Sequence, residues 1–111
     1  MTTNVYELNS IHTAQKSFYG KAKVVVTECS NDVFYALYSY DTLVLSVDVN
    51  VSGLICARKL WDGYSATTLR HVNELLMQLD FPKLSARAWR AMVVGEWYLP
   101  DEMPSLVNNL K

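Results

Sequence analysis

The spacing of apolar residues predicts β-strands in the first part of the chain. Between residues 42 and 51 apolar side chains alternate with mostly polar ones, which is typical of a strand with one buried and one solvated face. The alternation places Leu43, Leu45, Val47, Val49 and Val51 on the buried face, and Thr42, Val44, Ser46, Asp48 and Asn50 on the other. Residues 21–29, 33–40 and 54–61 have the composition of three further strands, and turn residues separate them. This pattern predicts an antiparallel meander of about four strands.

The pattern changes to a helical period at Ser65. Leu69, Val72, Leu75, Leu76 and Leu79 recur every three or four positions, and Ser65 or Thr67 can cap the helix that they form. A second helix should begin at Ser85 and continue to about residue 94, before Gly95, with an apolar stripe of Ala88, Trp89, Met92 and Val93.

Together these elements predict an α+β fold in which two C-terminal helices pack on one face of the sheet. We expect one shared core made of Leu43, Leu45, Val47, Leu69, Val72, Leu76 and Trp89. The 111 residues fit a single domain (1–111), β-rich over 16–61, helical over 65–94 and extended over a tail at 95–111, where residues 96–99 could add a short strand.

The N-terminus has neither the basic nor the apolar region of a signal peptide, and no apolar run is long enough to cross a membrane. Cys29 and Cys56 lie in apolar runs without metal-ligand spacing, so we expect reduced, structural thiols. These features favour a protein of the cytoplasm.

Charge is nearly balanced overall and uneven along the chain. The formal net charge is −1, which argues against a strongly basic nucleic-acid binder. Residues 24–57 contain acids and no Lys or Arg; the acids are Glu28, Asp32, Asp41 and Asp48. The basic residues flank that block: Lys16, Lys21 and Lys23 before it, and Arg58, Lys59, Arg70, Lys83, Arg87 and Arg90 after it. We therefore expect an acidic side and a basic side.

The segment LWDGYSATTLRH, residues 60–71, concentrates polar and aromatic groups. His71 with Asp62, Ser65 and Thr68 has the residue types of a hydrolytic triad, but side chains within one corner do not generally face one another, and no nucleophile elbow is present. His12 and His71 lack a neighbouring carboxylate pair, which disfavours a metal site. We therefore predict no catalytic residues, no metal and no cofactor.

Exposed aromatic residues are the stronger indication of function. The chain has too many Tyr and Trp residues for all of them to be central in so small a core, and these types, with Arg, dominate binding hot spots. We expect Tyr38 or Tyr40, and also Tyr64, to be exposed beside Arg58, Lys59 and Arg70.

Three segments carry a resemblance to a known group of proteins. They are KSFYGKA (16–22), YSYDT (38–42) and LWDGYSATTLRHVNE (60–74). In this order they resemble a family of short uncharacterised proteins encoded by bacteriophages, prophages and related mobile elements. The resemblance covers roughly residues 16–90 and implies an origin rather than an activity. A longer, more apolar hairpin over residues 43–57 and the extended tail depart from the family pattern.

Two functional hypotheses follow. The first is a non-enzymatic protein that inhibits a host protein complex in the host cytoplasm, such as a nucleic-acid-binding defence complex, in the manner of anti-CRISPR proteins. Its candidate binding residues are Asp41, Asp48, Tyr38, Tyr40, Tyr64 and Arg70. The alternative is a small nucleic-acid-binding regulator that uses the basic side, and an enzyme ranks third. The sequence leaves the identity of the partner and the oligomeric state open.

Overall fold

The computed structural model describes residues 2–12 and 18–102 of the chain, so that Lys16 and the end of the tail lie outside the described residues. Along the chain the elements are β1 (Thr2–Glu7), β2 (Ala22–Glu28), β3 (Asp32–Ser39), β4 (Thr42–Asn50), β5 (Ile55–Lys59), α1 (Ala66–Gln78), α2 (Ala86–Ala91) and β6 (Trp97–Tyr98). The strands form one antiparallel sheet in the order β1-β2-β3-β4-β5-β6. Neither described helix has the length and apolar character needed to span a membrane.

The α+β class, the antiparallel sheet and the two helices are confirmed, but the sheet has six strands and not about four. The additional strands β1 and β6 are the two edges, and both lie outside residues 16–61. All six side chains of β1 are exposed, and the strand pairs with β2 through its backbone. Such a strand needs no alternation of apolar and polar residues, so the hydrophobic pattern does not reveal it.

Both helices pack on one face of the sheet. The core combines Val24 and Leu37 from the sheet with Val72 and Leu76 from α1 and Trp89 from α2. We call this side the inner face. The opposite side, which neither described helix covers, is the open face.

A β-bulge corrects the expected register at the start of β4. Leu37 pairs with Leu45 and Tyr38 with Leu43, so that Val44 is the additional residue on β4. Val44 and Leu45 are consequently both buried, whereas Leu43 is half-buried and shares the face of Tyr38. The expectation that Leu43 lies in the core and Val44 outside it is wrong, because the bulge reverses the alternation there.

The rest of the predicted core is largely confirmed. Leu45, Val47, Val72, Leu76 and Trp89 are buried, while Leu69 is only partly buried against this cluster. Beyond the bulge, Leu45 and Val47 are buried and Val49 packs partly buried against the core, as the sequence predicts. The expectation that Val51 continues the buried face is wrong, because β4 ends at Asn50 and Val51 is 74% exposed in the following turn.

Serine caps begin both helices. The Ser65 hydroxyl accepts a hydrogen bond from the backbone N–H of Thr68 at 3.0 Å, so Ser65 and not Thr67 is the cap of α1. Ser85 accepts in the same way from Ala88 at 3.0 Å.

Helix α2 is shorter than expected. It ends at Ala91, and Val93 is 53% exposed instead of belonging to an apolar stripe. The reason is that the chain must return to the edge of the sheet, where the Gly95 N–H donates to the Lys59 carbonyl at 2.8 Å and Tyr98 pairs with Ala57.

Both cysteines are free thiols, but Cys29 is exposed rather than part of a buried strand.

Candidate binding site

The open face carries a mixed surface of aromatic, polar and charged side chains. Register partners place on it Val5, Val25, Phe34, Ala36, Tyr38, Ser46, Asp48, Cys56, Arg58 and Trp97. Of the predicted binding residues, Tyr38 and Asp48 are therefore on this face. Every one of these side chains is half-buried or exposed.

The two predicted acids do not form one patch. Asp41 directly precedes β4 and Asp48 lies near its other end, so that seven residues of extended chain, or roughly 23 Å, separate them. The acidic neighbour of Asp48 is instead Asp32, whose Oδ1 accepts a hydrogen bond from Asn50 Nδ2 at 3.0 Å. The open face is therefore acidic at the end where Asp32 and Asp48 lie.

The Asp48 carboxyl group is poorly stabilised. Its Oδ1 atom is buried and accepts no hydrogen bond from any described residue. Burial raises the pKa of Asp48 above its ordinary value of 3.8, and the nearby Asp32 raises it further. A cation brought to this end of the sheet would stabilise the ionised form.

An arginine–tryptophan pair lies at the β6 edge of the open face. The Arg58 guanidinium is 4.5 Å from the ring centroid of Trp97, which is 42% exposed. A second pair of the same kind involves Tyr64 and Arg90 at 4.3 Å. Both pairs consist of the residue types that dominate hot spots.

Tyr64 is 38% exposed, as expected, and the cation that lies over its ring is Arg90, while Arg70 is exposed on α1. The expected place of Lys59 beside exposed tyrosines is wrong, because Lys59 is buried. Lys59 points inward because strand side chains alternate, and its Nζ donates to the Trp89 carbonyl at 2.8 Å. Burial lowers the pKa of Lys59, and Asp62 partly opposes that effect.

Tyr38, Tyr40 and Asp41 do come together. They line a pocket of about 230 Å³, and its other lining residues within the described part of the chain are Gly20, Lys21 and Lys23; we call it the turn pocket. It lies where two turns meet at one end of the sheet and continues onto the open face, because Lys23 and Tyr38 are directly paired neighbours on β2 and β3. Tyr40 is 52% exposed, as the sequence predicts for one of these tyrosines.

Two left-handed turns form the floor of the turn pocket. Tyr19 and Gly20 have φ of 51° and 73°, and Tyr40 and Asp41 have φ of 51° and 68°. The second pair is the two-residue connection of the β3–β4 hairpin, in which both residues must have positive φ. The Tyr40 N–H donates to the Lys21 carbonyl at 2.9 Å and so fixes one turn against the other.

A buried polar cluster joins β3 to α1, and no pattern in the sequence predicts it. Ser39 Oγ lies 2.8 Å from Nδ1 of His71 and 3.0 Å from the Thr68 hydroxyl. Phe18 packs edge-on against the His71 ring, with a centroid distance of 4.6 Å. His71 is fully buried.

The environment of His71 keeps its imidazole neutral. Burial lowers the pKa of His71 from 6.5 to about 4, and the Arg70 charge lowers it as well. Although a serine hydroxyl next to a histidine resembles a catalytic pair, Ser39 is only 2% exposed. A substrate therefore cannot reach the hydroxyl in this conformation.

Metal-ligating side chains are dispersed in the structure. No three His, Cys, Asp or Glu residues within 2–12 and 18–102 are placed to hold one ion. The cations of the predicted basic side are also dispersed, since Arg58 stacks on Trp97, Arg90 on Tyr64, and Lys59 is buried.

Comparison with known proteins places the chain in one family. The model described as "Family of unknown function (DUF8033)" matches residues 6–91, from the end of β1 to the end of α2. No curated protein and no solved structure matches the chain. Because the match covers most of the sequence, this protein belongs to the DUF8033 family.

Proposed function

We propose that this protein is a non-enzymatic binding protein of phage or mobile-element origin that inhibits a host protein complex, in the manner of anti-CRISPR proteins. The observation that carries the proposal is the Asp32 and Asp48 pair on the open face, where Oδ1 of Asp48 accepts no hydrogen bond from a described residue. The origin rests on the resemblance of the segments KSFYGKA and LWDGYSATTLRHVNE to phage-encoded proteins.

The acidic pair favours a basic partner surface. Burial and the Asp32 charge raise the pKa of Asp48, so a Lys or Arg side chain that approaches this carboxylate stabilises its ionised form. Phe34 is the direct cross-strand neighbour of Asp48 and adds an apolar contact beside the charge. Grooves that hold nucleic acids are lined with Lys and Arg, so a host protein with such a groove fits this end of the sheet.

The Arg58–Trp97 pair extends the surface along the open face. Arg58 pairs with Ser46 on β4 and with Trp97 on β6, so the stacked pair lies near the acidic end on the same face. A central aromatic and Arg contact surrounded by charges is a common arrangement in protein interfaces. The protein thereby competes with nucleic acid for the groove and needs no chemical step of its own.

The test has two stages. Immobilised protein is first exposed to host lysate with and without nuclease treatment, and the captured protein is identified and purified. Its binding is then measured with the wild type, with D32N/D48N, and with the matched control D62N/D80N, which removes two exposed carboxylates that flank α1. We expect D32N/D48N to lose at least tenfold in affinity, the control to keep it, and nucleic acid to displace the wild type.

Two outcomes would overturn the proposal. One is capture of nucleic acid alone, which is the expectation for a nucleic-acid-binding regulator. The other is a captured protein whose affinity is equal for the wild type and D32N/D48N, or which binds this protein and nucleic acid at the same time.

A further inference from the structure

The turn pocket combines side chains of complementary chemistry at one place. Two ammonium groups come from Lys21 and Lys23, two phenol rings from Tyr38 and Tyr40, and one carboxylate from Asp41. We propose that this pocket binds a ribonucleotide, with the phosphate at the lysines, the base against the tyrosines and the ribose hydroxyls at Asp41. The site is at the opposite end of β4 from Asp48 and does not depend on the function proposed above.

The backbone holds the pocket in place before a ligand arrives. Hydrogen bonds of 2.9 Å join the Tyr40 N–H to the Lys21 carbonyl and the Lys21 N–H to the Phe18 carbonyl. On its inner side the Tyr40 ring contacts the buried His71, with a centroid distance of 5.8 Å. The rings and charges therefore project from a fixed frame, which reduces the entropy lost on binding.

The residues of the β3–β4 turn are not those that the backbone prefers. Positive φ at both central positions favours Asn-Gly, yet this hairpin has Tyr40 and Asp41. The contact with His71 explains why one side of the Tyr40 ring is packed against the protein, but it does not involve the exposed side of the ring. Asp41 is a residue type that tolerates this conformation, so Tyr40 is the unusual residue of the turn. Unfavourable backbone conformations of this kind concentrate at ligand sites.

Size and composition identify the ligand class. A pocket of about 230 Å³ is smaller than the roughly 300–1,000 Å³ of sites that enclose drug-sized ligands, so it has room for part of one nucleotide and not for a dinucleotide. Lysines bind phosphate as point charges, and exposed tyrosines stack on bases of any sequence. A carboxylate accepts hydrogen bonds from ribose hydroxyls, which distinguishes a ribonucleotide from a deoxyribonucleotide.

Glu7 makes the pocket selective against phosphate alone. It is the direct β1 neighbour of Lys23, and its carboxylate approaches Gly20. Glu7 and Asp41 offset the charge of Lys21 and Lys23, so the attraction for an isolated anion is weak. Binding should therefore require the phosphate, the ring and the sugar hydroxyls together.

The full chain, labelled with ¹⁵N, would be titrated with AMP, dAMP, inorganic phosphate and a short oligo(A) RNA while its amide resonances are followed by NMR. We expect AMP to shift the amides of Gly20, Lys21, Lys23, Tyr40 and Asp41 with saturation, dAMP to bind several-fold more weakly, and phosphate to fail to saturate. If oligo(A) binds more tightly than AMP, the natural ligand is the end of an RNA strand. If oligo(A) binds equally well or more weakly, the natural ligand is a free nucleotide.

Variants separate the roles of the side chains. K21M/K23M should lose at least tenfold in AMP affinity, while K83M/R87M, which removes two exposed cations elsewhere, should not change it. D41N keeps a residue that tolerates positive φ and should reduce the preference for AMP over dAMP, because an amide oxygen is a weaker acceptor than a carboxylate. E7Q should increase the affinity for AMP several-fold, because it removes a carboxylate that repels the phosphate of AMP.

The proposal is overturned if the wild type binds AMP and dAMP equally, if AMP shifts amides away from the turn pocket, or if K21M/K23M and K83M/R87M bind AMP alike. Each of these comparisons uses a folded protein whose amide spectrum is recorded in the same experiment. The loss of Asp48-dependent protein binding would leave this test unaffected.

Discussion

The hydroxyl of Ser39 lies 2.8 Å from Nδ1 of His71, although 32 positions separate the two residues in the chain. The contact joins the last residue of β3 to the first half of α1, and the Thr68 hydroxyl extends it at 3.0 Å. Nε2 of His71 is buried and has no hydrogen-bond partner among the described residues. The neutral imidazole is thus part of the packing between sheet and helix.

Acid should destabilise the protein through His71. Its pKa is about 4 in the folded state against 6.5 unfolded, so the unfolded state binds more protons between these values. The stabilisation is complete above pH 6.5 and is lost as the pH falls towards 4, by up to about 3 kcal/mol. Urea denaturation at several pH values should show this loss for the wild type and not for H71Q. Parallel stability curves for the two proteins would contradict the prediction.

The cap of α1 can be tested by comparing two neighbouring residues. Ser65→Ala removes the hydroxyl that accepts from Thr68 N–H and should cost about 1 kcal/mol of unfolding free energy. Thr67→Ala removes no cap and should stay within about 0.5 kcal/mol. Thermal denaturation of both variants measures the difference, and partner binding at low temperature should be retained in each. A stable S65A protein without binding would show that Ser65 acts directly in recognition.

Gly63 has no room for a side chain. A Cβ atom there would overlap the indole of Trp61, and the Gly63 carbonyl accepts a hydrogen bond from Trp89 Nε1 at 3.0 Å. Gly63→Ala should therefore destabilise the protein by about 1–3 kcal/mol. In a W61L background the same substitution should cost less, because the smaller side chain can give way. Equal costs in the two backgrounds, measured by urea denaturation, would argue against this overlap.

Asp48→Asn should stabilise the fold and weaken the proposed partner binding. The raised pKa means that the folded state favours the protonated form, so stability falls as the pH rises from about the ordinary value of 3.8 through the raised folded-state pKa. At pH 7 the variant should melt on the order of 2 °C higher than the wild type. Near pH 3 the difference should vanish, because Asp48 is then protonated in both states. A lower melting temperature for D48N than for the wild type at pH 7 would contradict the conclusion that ionised Asp48 destabilises the fold.

Local patterns in the sequence determined the central part of this fold. The alternation after Thr42 and the helical period after Ser65 predict β4 and α1 nearly to their ends. The serine caps and the antiparallel order of the strands can also be predicted from the sequence, because they depend on neighbouring residues and short connections. The exposure of either Tyr38 or Tyr40 was predicted too, and the structure shows that it is Tyr40, which lies in the hairpin turn.

Tertiary structure decided the positions that depend on distant partners. Strand β1 is stabilised by its backbone hydrogen bonds to β2. Leu43 lies on the open face because of the β-bulge opposite Tyr38. Whether a histidine is buried, or two turns form a pocket, depends on segments tens of residues apart. Side-chain periodicity records which face of one element is apolar, but it carries no information on the register between elements. That register placed Ser39 beside His71 and Lys23 beside Tyr38.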